Sequence, residues 1–273
     1  MYHIQIVGAG YVGTALVQYF RAKNQKVWAL TRTPKRREAL ETLGATPLVA
    51  DLTQPGTLEN IPPAHFIVLS PAPSRGDEEN YRKVYLEGIG NYLAAIRKNP
   101  KPFLIVYLSS TGVYSQDNGE WVDESTDPAP KDEKGRTLLE AETQVLKSGF
   151  PAIIFRLAGI YGPGRDSTDR VRKTQWPLER DQFVNMIHLE DIVGAMPVIF
   201  NQGEAGSVYL GVDDEPVRRS EFYAWLAEKF SIPLPPGTRV KNTSSTGGKR
   251  CRNARLKSLG FTSRFPTFRE GYQ

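Results

Sequence analysis

Sulfur and imidazole are scarce in this chain: its 273 residues hold one cysteine, Cys251, and three histidines. A single thiol excludes an internal disulfide and suits a reducing compartment, so a cytoplasmic location is expected. With so few soft and imidazole ligands there is no clustered metal-ligand pattern, and no metal is expected. No apolar run approaches the roughly 18–20 residues of a membrane span. The first strand pattern begins within a few residues of Met1, so no signal peptide is expected. The G-x-S-x-G elbow of a serine hydrolase is missing as well. Acidic residues are in slight deficit, 30 against 35 basic ones, giving a net charge of +5 and a pI near 9.2. The basic residues fall in two local groups, at 32–37 and 239–264, not in one stripe. Solvated surface charge accounts for that pattern, and nucleic acid is not an expected partner. Hydrophobic and charged fractions of 40% and 24% are those of a soluble globular protein. The length allows one large domain, or a nucleotide-binding unit with a smaller lobe.

What is present is concentrated at the front, in Ile4-Gln-Ile-Val-Gly8-Ala-Gly10-Tyr11-Val12-Gly13-Thr-Ala-Leu-Val-Gln-Tyr-Phe20. A β-branched run ends at Gly8, and three glycines at G-x-G-x-x-G spacing open an amphipathic helix. Gly8 permits a tight turn, Gly10 lets a pyrophosphate approach the backbone, and Gly13 lets the helix pack on the strand. The free amides at the helix start, from Tyr11 and Val12 onward, then face the diphosphate. Strand before and helix after lift this triplet above a chance loop match, and the reading is a dinucleotide site.

The second strand, Lys26-Val-Trp-Ala-Leu-Thr31-Arg32, ends without the Asp or Glu that holds a ribose 2′-hydroxyl. Thr31, Arg32 and then Lys35, Arg36 and Arg37 stand there instead. A guanidinium pairs with a 2′-phosphate where an acid would repel it, so NADP(H) is favoured over NAD(H). A basic start to an exposed helix is the plainer alternative. A third strand ends in Asp51-Leu52, placed for an adenine edge and face. A fourth, 65–72, ends in Ser70-Pro71-Ala72, small residues suited to a cofactor wall. A fifth, 103–111, runs through Leu108 to Ser109-Ser110-Thr111. Apolar strands alternating with helical segments predict an α/β fold, a Rossmann-like doubly wound parallel sheet with a smaller C-terminal mixed α/β substrate lobe. The boundaries read from the sequence are 1–160 for the NAD(P)-binding domain, with a return segment near 185–212, and 161–273 for the interleaved lobe.

Further motifs carry a family resemblance. Leu108-Ser-Ser110-Thr-Gly-Val-Tyr114 resembles the Ser-Ser-x-x-Val-Tyr-Gly turn of the extended short-chain dehydrogenase/reductases, the NAD-dependent epimerase/dehydratase family. The loop Gly119-Glu-Trp-Val-Asp-Glu124 with Pro128 and Pro130, the stretch Arg156-Leu-Ala-Gly-Ile-Tyr161-Gly162-Pro163-Gly164, and Asn185-Met-Ile-His188-Leu-Glu-Asp191-Ile are similar to that family's elements, in its order. The resemblance implies oxidoreduction or epimerisation at a hydroxyl-bearing carbon of a small molecule or sugar nucleotide. It also implies a homodimer built on paired helices, here near 77–98 and 134–147. Gly88 and Gly90 inside the first of these point to close packing somewhere.

The departures bear on the chemistry. The family's Tyr-x-x-x-Lys pair falls on Lys134 and Leu138 in one register, or on Arg136 and Glu140 in another, and neither restores it. The family's helix asparagine is replaced by Tyr85. Ser110 survives, with Thr111 beside it. One reading is therefore an enzyme with substituted chemistry, in which Ser110 or Thr111 binds substrate and Tyr85 or Lys134 moves the proton. Core packing of Tyr85 and a solvated helix start at Lys134 are the structural alternatives. A second reading is a non-catalytic NADP(H)-binding regulatory or redox-sensing protein, and a third is an enzyme that needs no such relay. Tyr161 and His188 are candidate substrate contacts, although His188 also suits a cap or brace. Arg250, with Lys249 and Arg252, could meet an anionic substrate group, or belong to a flexible basic loop. Residues 165–178 read as a mobile loop over the cleft. Residues 220–230 read as a helix capped by Ser220 with Phe222, Trp225, Leu226 and Phe230 on one face, stopped by the proline run at 233–237.

Overall fold

The computed structural model describes residues 1–73, 79–173, 178, 180–234 and 246–272. The first half alternates strand and helix. β1 (His3–Val7) and α1 (Tyr11–Ala22) are followed by β2 (Lys26–Thr31), α2 (Arg37–Thr42) and β3 (Thr46–Val49). β4 (Phe66–Leu69) leads to a helix in three parts: α3 (Glu79–Arg82), a π-helical stretch at Lys83–Gly88, and α4 (Ile89–Ala95). Then come β5 (Leu104–Ser110), β6 (Trp121–Val122), α5 (Glu133–Leu146) and β7 (Ala152–Leu157). Beyond them lie β8 (Gly159–Tyr161), α6 (Thr168–Lys173), β9 (Asp181–Val184), β10 (Met186–His188), α7 (Leu189–Gln202) and β11 (Val208–Gly211). The last described elements are β12 (Val217–Arg218), α8 (Arg219–Lys229), β13 (Thr246–Gly247), β14 (Arg250–Cys251), α9 (Ala254–Ser258) and α10 (Phe268–Gly271).

Seven strands form one sheet in the order β11-β7-β5-β4-β1-β2-β3, all parallel. A parallel sheet needs both faces covered. On one face α1 and α7 pack Leu16, Phe20, Ile192 and Met196 against Ile6, Val68 and Val106. On the other, α4 and α5 pack Ile89, Leu93, Ala141 and Val145 against Leu69, Ile105 and Ile154. Gln5, a polar residue buried in β1, accepts a hydrogen bond from the Tyr92 hydroxyl. Pro47, which has no N–H to donate, sits on the edge strand β3. The chain builds outward from β1 to β3, then crosses to β4 and builds the other way. That reversal opens a crevice at the carboxyl ends of β1 and β4.

Three expectations are corrected. Part of the predicted 165–178 loop is helical: Asp166 accepts from the Thr168 N–H at 2.8 Å, and Val171 is buried as the single apolar anchor of α6. Residues 174–177 of that segment, the start of the 77–98 helix, 235–237 and 241–245 lie outside the described residues. Ser220 does not cap α8, which begins at Arg219. Its N–H and hydroxyl donate to Asp181 at 3.0 and 2.7 Å, because a buried carboxylate from β9 is a stronger acceptor at a helix start than a neutral hydroxyl. Phe230 follows the helix and is exposed. A side chain on Gly88 would meet Leu52, and one on Gly90 would overlap the Gln144 amide of α5. The close packing those glycines imply is therefore within the chain.

Candidate active site

The crevice begins with the glycine turn. The amides of Gly8 and Ala9 both bond to the Leu30 carbonyl, at 3.1 and 3.0 Å, and tie β1 to β2. Gly8 has φ +102°, and a Cβ there would overlap the Ser70 carbonyl after β4. A Cβ on Gly13 would overlap the Gly8 carbonyl, whereas one on Gly10 would meet nothing within 4 Å. Two glycines thus close the turn on itself and the third leaves open space in front of α1. The first intrahelical bond runs from Thr14 N–H to Gly10 C=O at 2.9 Å. The amides of Tyr11, Val12 and Gly13 come before it and are the helix-start donors that suit an anion.

Around this turn lies a cavity of about 310 Å³. Gly8 and Gly10 form its floor, with Thr31, Arg32 and Arg36 on one side, Asp51 and Leu52 on another, and Ser70, Pro71 and Ala72 on the third. Arg36 reaches back to α1, donating to the Thr14 hydroxyl at 3.0 Å. Asp51 accepts from the Thr53 N–H and hydroxyl at 2.9 and 2.8 Å, which fixes the turn after β3. Most of the residues singled out for a dinucleotide are therefore brought together. Gly13 supports the turn from behind it.

A second cavity, of about 370 Å³, shares the wall Gly10, Ser70, Pro71 and Ala72 with the first. It holds Tyr11, Val12, Leu108, Ser109, Ser110 and Tyr85. The Ser110 hydroxyl accepts from the Gly112 N–H at 3.0 Å, capping a short turn at Thr111–Val113. Tyr85 is half-buried at the π-helical stretch, its ring 4.6 Å from that of Tyr81. Burial pushes the phenols of both tyrosines above their usual range. Tyr81, which also lines the cavity, was missed in the sequence; its only signal there is the four-residue spacing to Tyr85. The other two candidates do not reach this cleft. Thr111 is buried beneath the turn, and Lys134 is exposed on the first turn of α5. Leu138, a turn further on, lines the cavity instead.

Behind Ser110 lies a buried ionic network that the sequence did not disclose. Ser109 donates to Glu142 at 2.6 Å, and Arg156 binds the same carboxylate through Nε and Nη2, the shortest contact being 2.7 Å. Arg156 also donates to the Tyr114 hydroxyl at 2.7 Å, which donates to the Asp123 carbonyl at 2.8 Å. Burial opposes the Arg156 charge, but the Glu142 carboxylate more than restores it. Burial pushes the Tyr114 phenol up to about 12. The network clamps β5, α5 and β7 together under the Ser109-Ser110 step.

The predicted substrate contacts lie elsewhere. Tyr161 and His188 line a separate cavity of about 500 Å³ on the far side of the Gly162–Arg165 turn. Tyr161 stacks on Tyr272 at 4.8 Å. His188 caps α7, its Nδ1 accepting from the Glu190 N–H at 3.2 Å, and burial lowers its pKa. Asp191 accepts from the Arg264 and Phe265 amides at 2.6 and 3.2 Å and anchors the C-terminal segment. The two cavities touch through Tyr11, whose hydroxyl donates to the Pro163 carbonyl at 3.0 Å. Arg250 is a brace: its Nε donates to the Gly119 carbonyl at 2.7 Å and its guanidinium lies over Trp121 at 4.8 Å, with Arg252 over the same ring at 4.7 Å. Lys249 donates to the Tyr114 carbonyl at 2.9 Å. Among the described residues, no group of three or more His, Cys, Asp and Glu could hold a metal ion, and no helix is long and apolar enough to cross a membrane.

A parallel sheet that reverses at a glycine turn, with a crevice at its carboxyl ends, defines a dinucleotide-binding α/β protein. Residues 4–210 match the NAD dependent epimerase/dehydratase family, and the chain belongs to it. A solved structure from Methylobacillus flagellatus, put forward as an NAD-dependent epimerase/dehydratase, is 31% identical with a TM-score of 0.82, over 99% of this chain and 96% of that one. Protein YeeZ of Escherichia coli K12 is 27% identical over 278 residues, 97% of each chain. The dTDP-glucose 4,6-dehydratase of Streptomyces venezuelae, solved with NAD and TYD bound, is 16% identical and shares the fold at a TM-score of 0.81, over 99% and 94%.

Proposed function

We propose that this protein is a cytoplasmic NADP(H)-dependent oxidoreductase acting at a carbonyl or hydroxyl carbon of a small molecule. The observation that carries the reading is the shared wall of Gly10, Ser70, Pro71 and Ala72, which joins a cavity bearing Arg32 and Arg36 to one bearing Ser110 and Tyr85. The family and the dehydratase solved with NAD support a nicotinamide dinucleotide. The open space at Gly10 fits its pyrophosphate, and Arg32 with Arg36 suits a 2′-phosphate. When bound, the nicotinamide supplies hydride chemistry at the reacting carbon. Ser110 uses an oxygen lone pair on the Gly112 amide, which leaves its own hydrogen for a substrate oxygen. The Tyr85 phenol, raised by burial, stays protonated at neutral pH. It is suited to give a proton to an oxygen that gains negative charge and poorly suited to take one. Proton donation to the oxygen of a carbonyl under reduction is therefore the step this phenol would serve near neutral pH. Ser110 and Tyr85 lining one cleft favours this over a non-catalytic sensor.

The test is calorimetric titration of the full chain with NADPH, NADH and their oxidised forms. Tighter binding of the phosphorylated pair is expected. Arg32→Ala should then weaken NADPH about tenfold or more, the loss of one charge-assisted contact, while leaving NADH nearly unchanged. Equal loss for both would refute the phosphate contact, and no binding of any of the four would refute the cofactor reading.

A further inference from the structure

We infer that the cleft beside Ser110 selects a compact ketone, or the matching secondary alcohol, whose body is an apolar ring, and that it rejects polyhydroxylated sugars. This rests on the cofactor reading above. The walls of the cleft are Tyr81, Tyr85, Leu108, Leu138, Leu157 and Ile160. Two of these, Tyr85 and Leu138, stand where the family resemblance places an asparagine and, in one of its two registers, a lysine. Among the described lining residues there is no Asp, Glu, Asn, Gln, His or Lys, and the one charged side chain, Arg165, is exposed at the rim and lies over the Tyr11 ring at 5.5 Å. The Ser109 hydroxyl is already committed to Glu142. That leaves the hydroxyls of Ser70 and Ser110 and the phenols as polar handles, on a lining otherwise made of aliphatic side chains and glycine.

A sugar ring brings several hydroxyls. Each one buried without a partner lowers affinity by about tenfold. An apolar ring meets the opposite balance, because three leucines, an isoleucine and the tilted faces of the Tyr81 and Tyr85 rings offer it apolar surface, while its single carbonyl oxygen takes up a hydroxyl. The cavity, about 370 Å³, is at the small end for ligand pockets and must also admit the reactive end of the cofactor. Size and lining agree on a substrate of one or two rings with a single carbonyl.

The experiment is calorimetric titration of the NADP+-loaded full chain with 2-tetralone and, separately, with UDP-glucose. The expected result is saturable 2-tetralone binding at least tenfold tighter than any binding of UDP-glucose. Tyr81→Ser should weaken 2-tetralone fivefold or more and leave NADP+ affinity within twofold, which also shows that the variant is folded. Leu138→Asn, measured the same way, serves if Tyr81→Ser fails to fold. Tighter binding of UDP-glucose, absence of 2-tetralone binding to the loaded protein, or indifference of 2-tetralone to a folded variant would each overturn the inference while the cofactor reading stands. Failure of NADP+ itself to bind would overturn both.

Discussion

Ser110 and Tyr85 line one cleft, and the different duties the proposal gives them are separable by substitution. Ser110 is also a backbone support, since its Oγ accepts from the Gly112 N–H. Ser110→Ala should therefore lower kcat/KM about tenfold or more and cost about 0.5–1.5 kcal/mol of stability. Ser110→Thr keeps the hydroxyl and should restore most of both, with NADPH affinity unchanged throughout. Tyr85→Phe removes only the donor and should lower kcat for reduction with little change in melting temperature. The pH profile distinguishes a donor from a packing residue. Because burial raises the Tyr85 pKa, the protonated form persists as pH rises, and the reductive rate should stay level from pH 6 to 9. A rate that climbs through neutrality, as an ionised base would give, would remove Tyr85 from this role. The sequence disclosed both residues, yet it also offered Lys134 and Thr111. Lys134 fell away only once α5 was seen to turn Leu138 toward the cleft, and Thr111 once it was seen buried in the turn after Ser110.

At the scale of elements, the helix that carries Tyr85 is built on two glycines with opposite tolerances. A methyl at Gly88 would press on Leu52 Cβ and the Lys83 carbonyl, neither of which can swing away. Gly88→Ala should cost about 1–3 kcal/mol by overpacking and weaken NADPH, because Leu52 lines the cofactor cavity. At Gly90 the obstacle is the tip of the Gln144 side chain, which can rotate aside. Gly90→Ala should be neutral or stabilising by up to about 1 kcal/mol, the gain in helix propensity. Thermal denaturation of the two variants side by side checks the contrast, and equal losses would show that neither contact matters. The elements that define the nucleotide half were legible because each is long, strongly patterned and bounded by glycine or by small polar residues. α6 was not, since Val171 alone among its six residues is buried and one residue has no period. Ser220 and Arg250 misled for a related reason. Their local chemistry suits a cap or an anion site, but partners distant in sequence, Asp181, Gly119 and Trp121, claim them first.

For the molecule as a whole, pattern sufficed for the parallel sheet and for its return near 185–212, where β11 joins the edge beside β7 after the chain has built α6 through α7. That return leads into Asp213, 3% exposed just past β11. Burial raises its pKa well above the ordinary carboxylate value, the charges of Asp214, Glu215 and Asp191 add to the effect, and only the Glu215 amide opposes it. Asp191 and Glu124 are raised too, again mainly by burial. Above about pH 4 the unfolded chain ionises these groups, while the folded chain retains their protons. Folding then takes up protons, and stability falls as pH rises toward the folded pKa values. His188 acts in the other direction. Burial lowers its pKa, so below about pH 6.5 the unfolded imidazole gains a proton that the folded one refuses, and stability falls with added acid. The carboxylates should therefore lower the melting temperature as pH rises above about 4, with His188 opposing them below about pH 6.5. Asp213→Asn removes the largest carboxylate contribution. Scanning calorimetry should find its melting temperature above that of the parent by the widest margin at pH 8.5, with the margin closing toward pH 5. A margin that does not change with pH would mean that Asp213 is ionised in the folded protein, and the slope would then need another source.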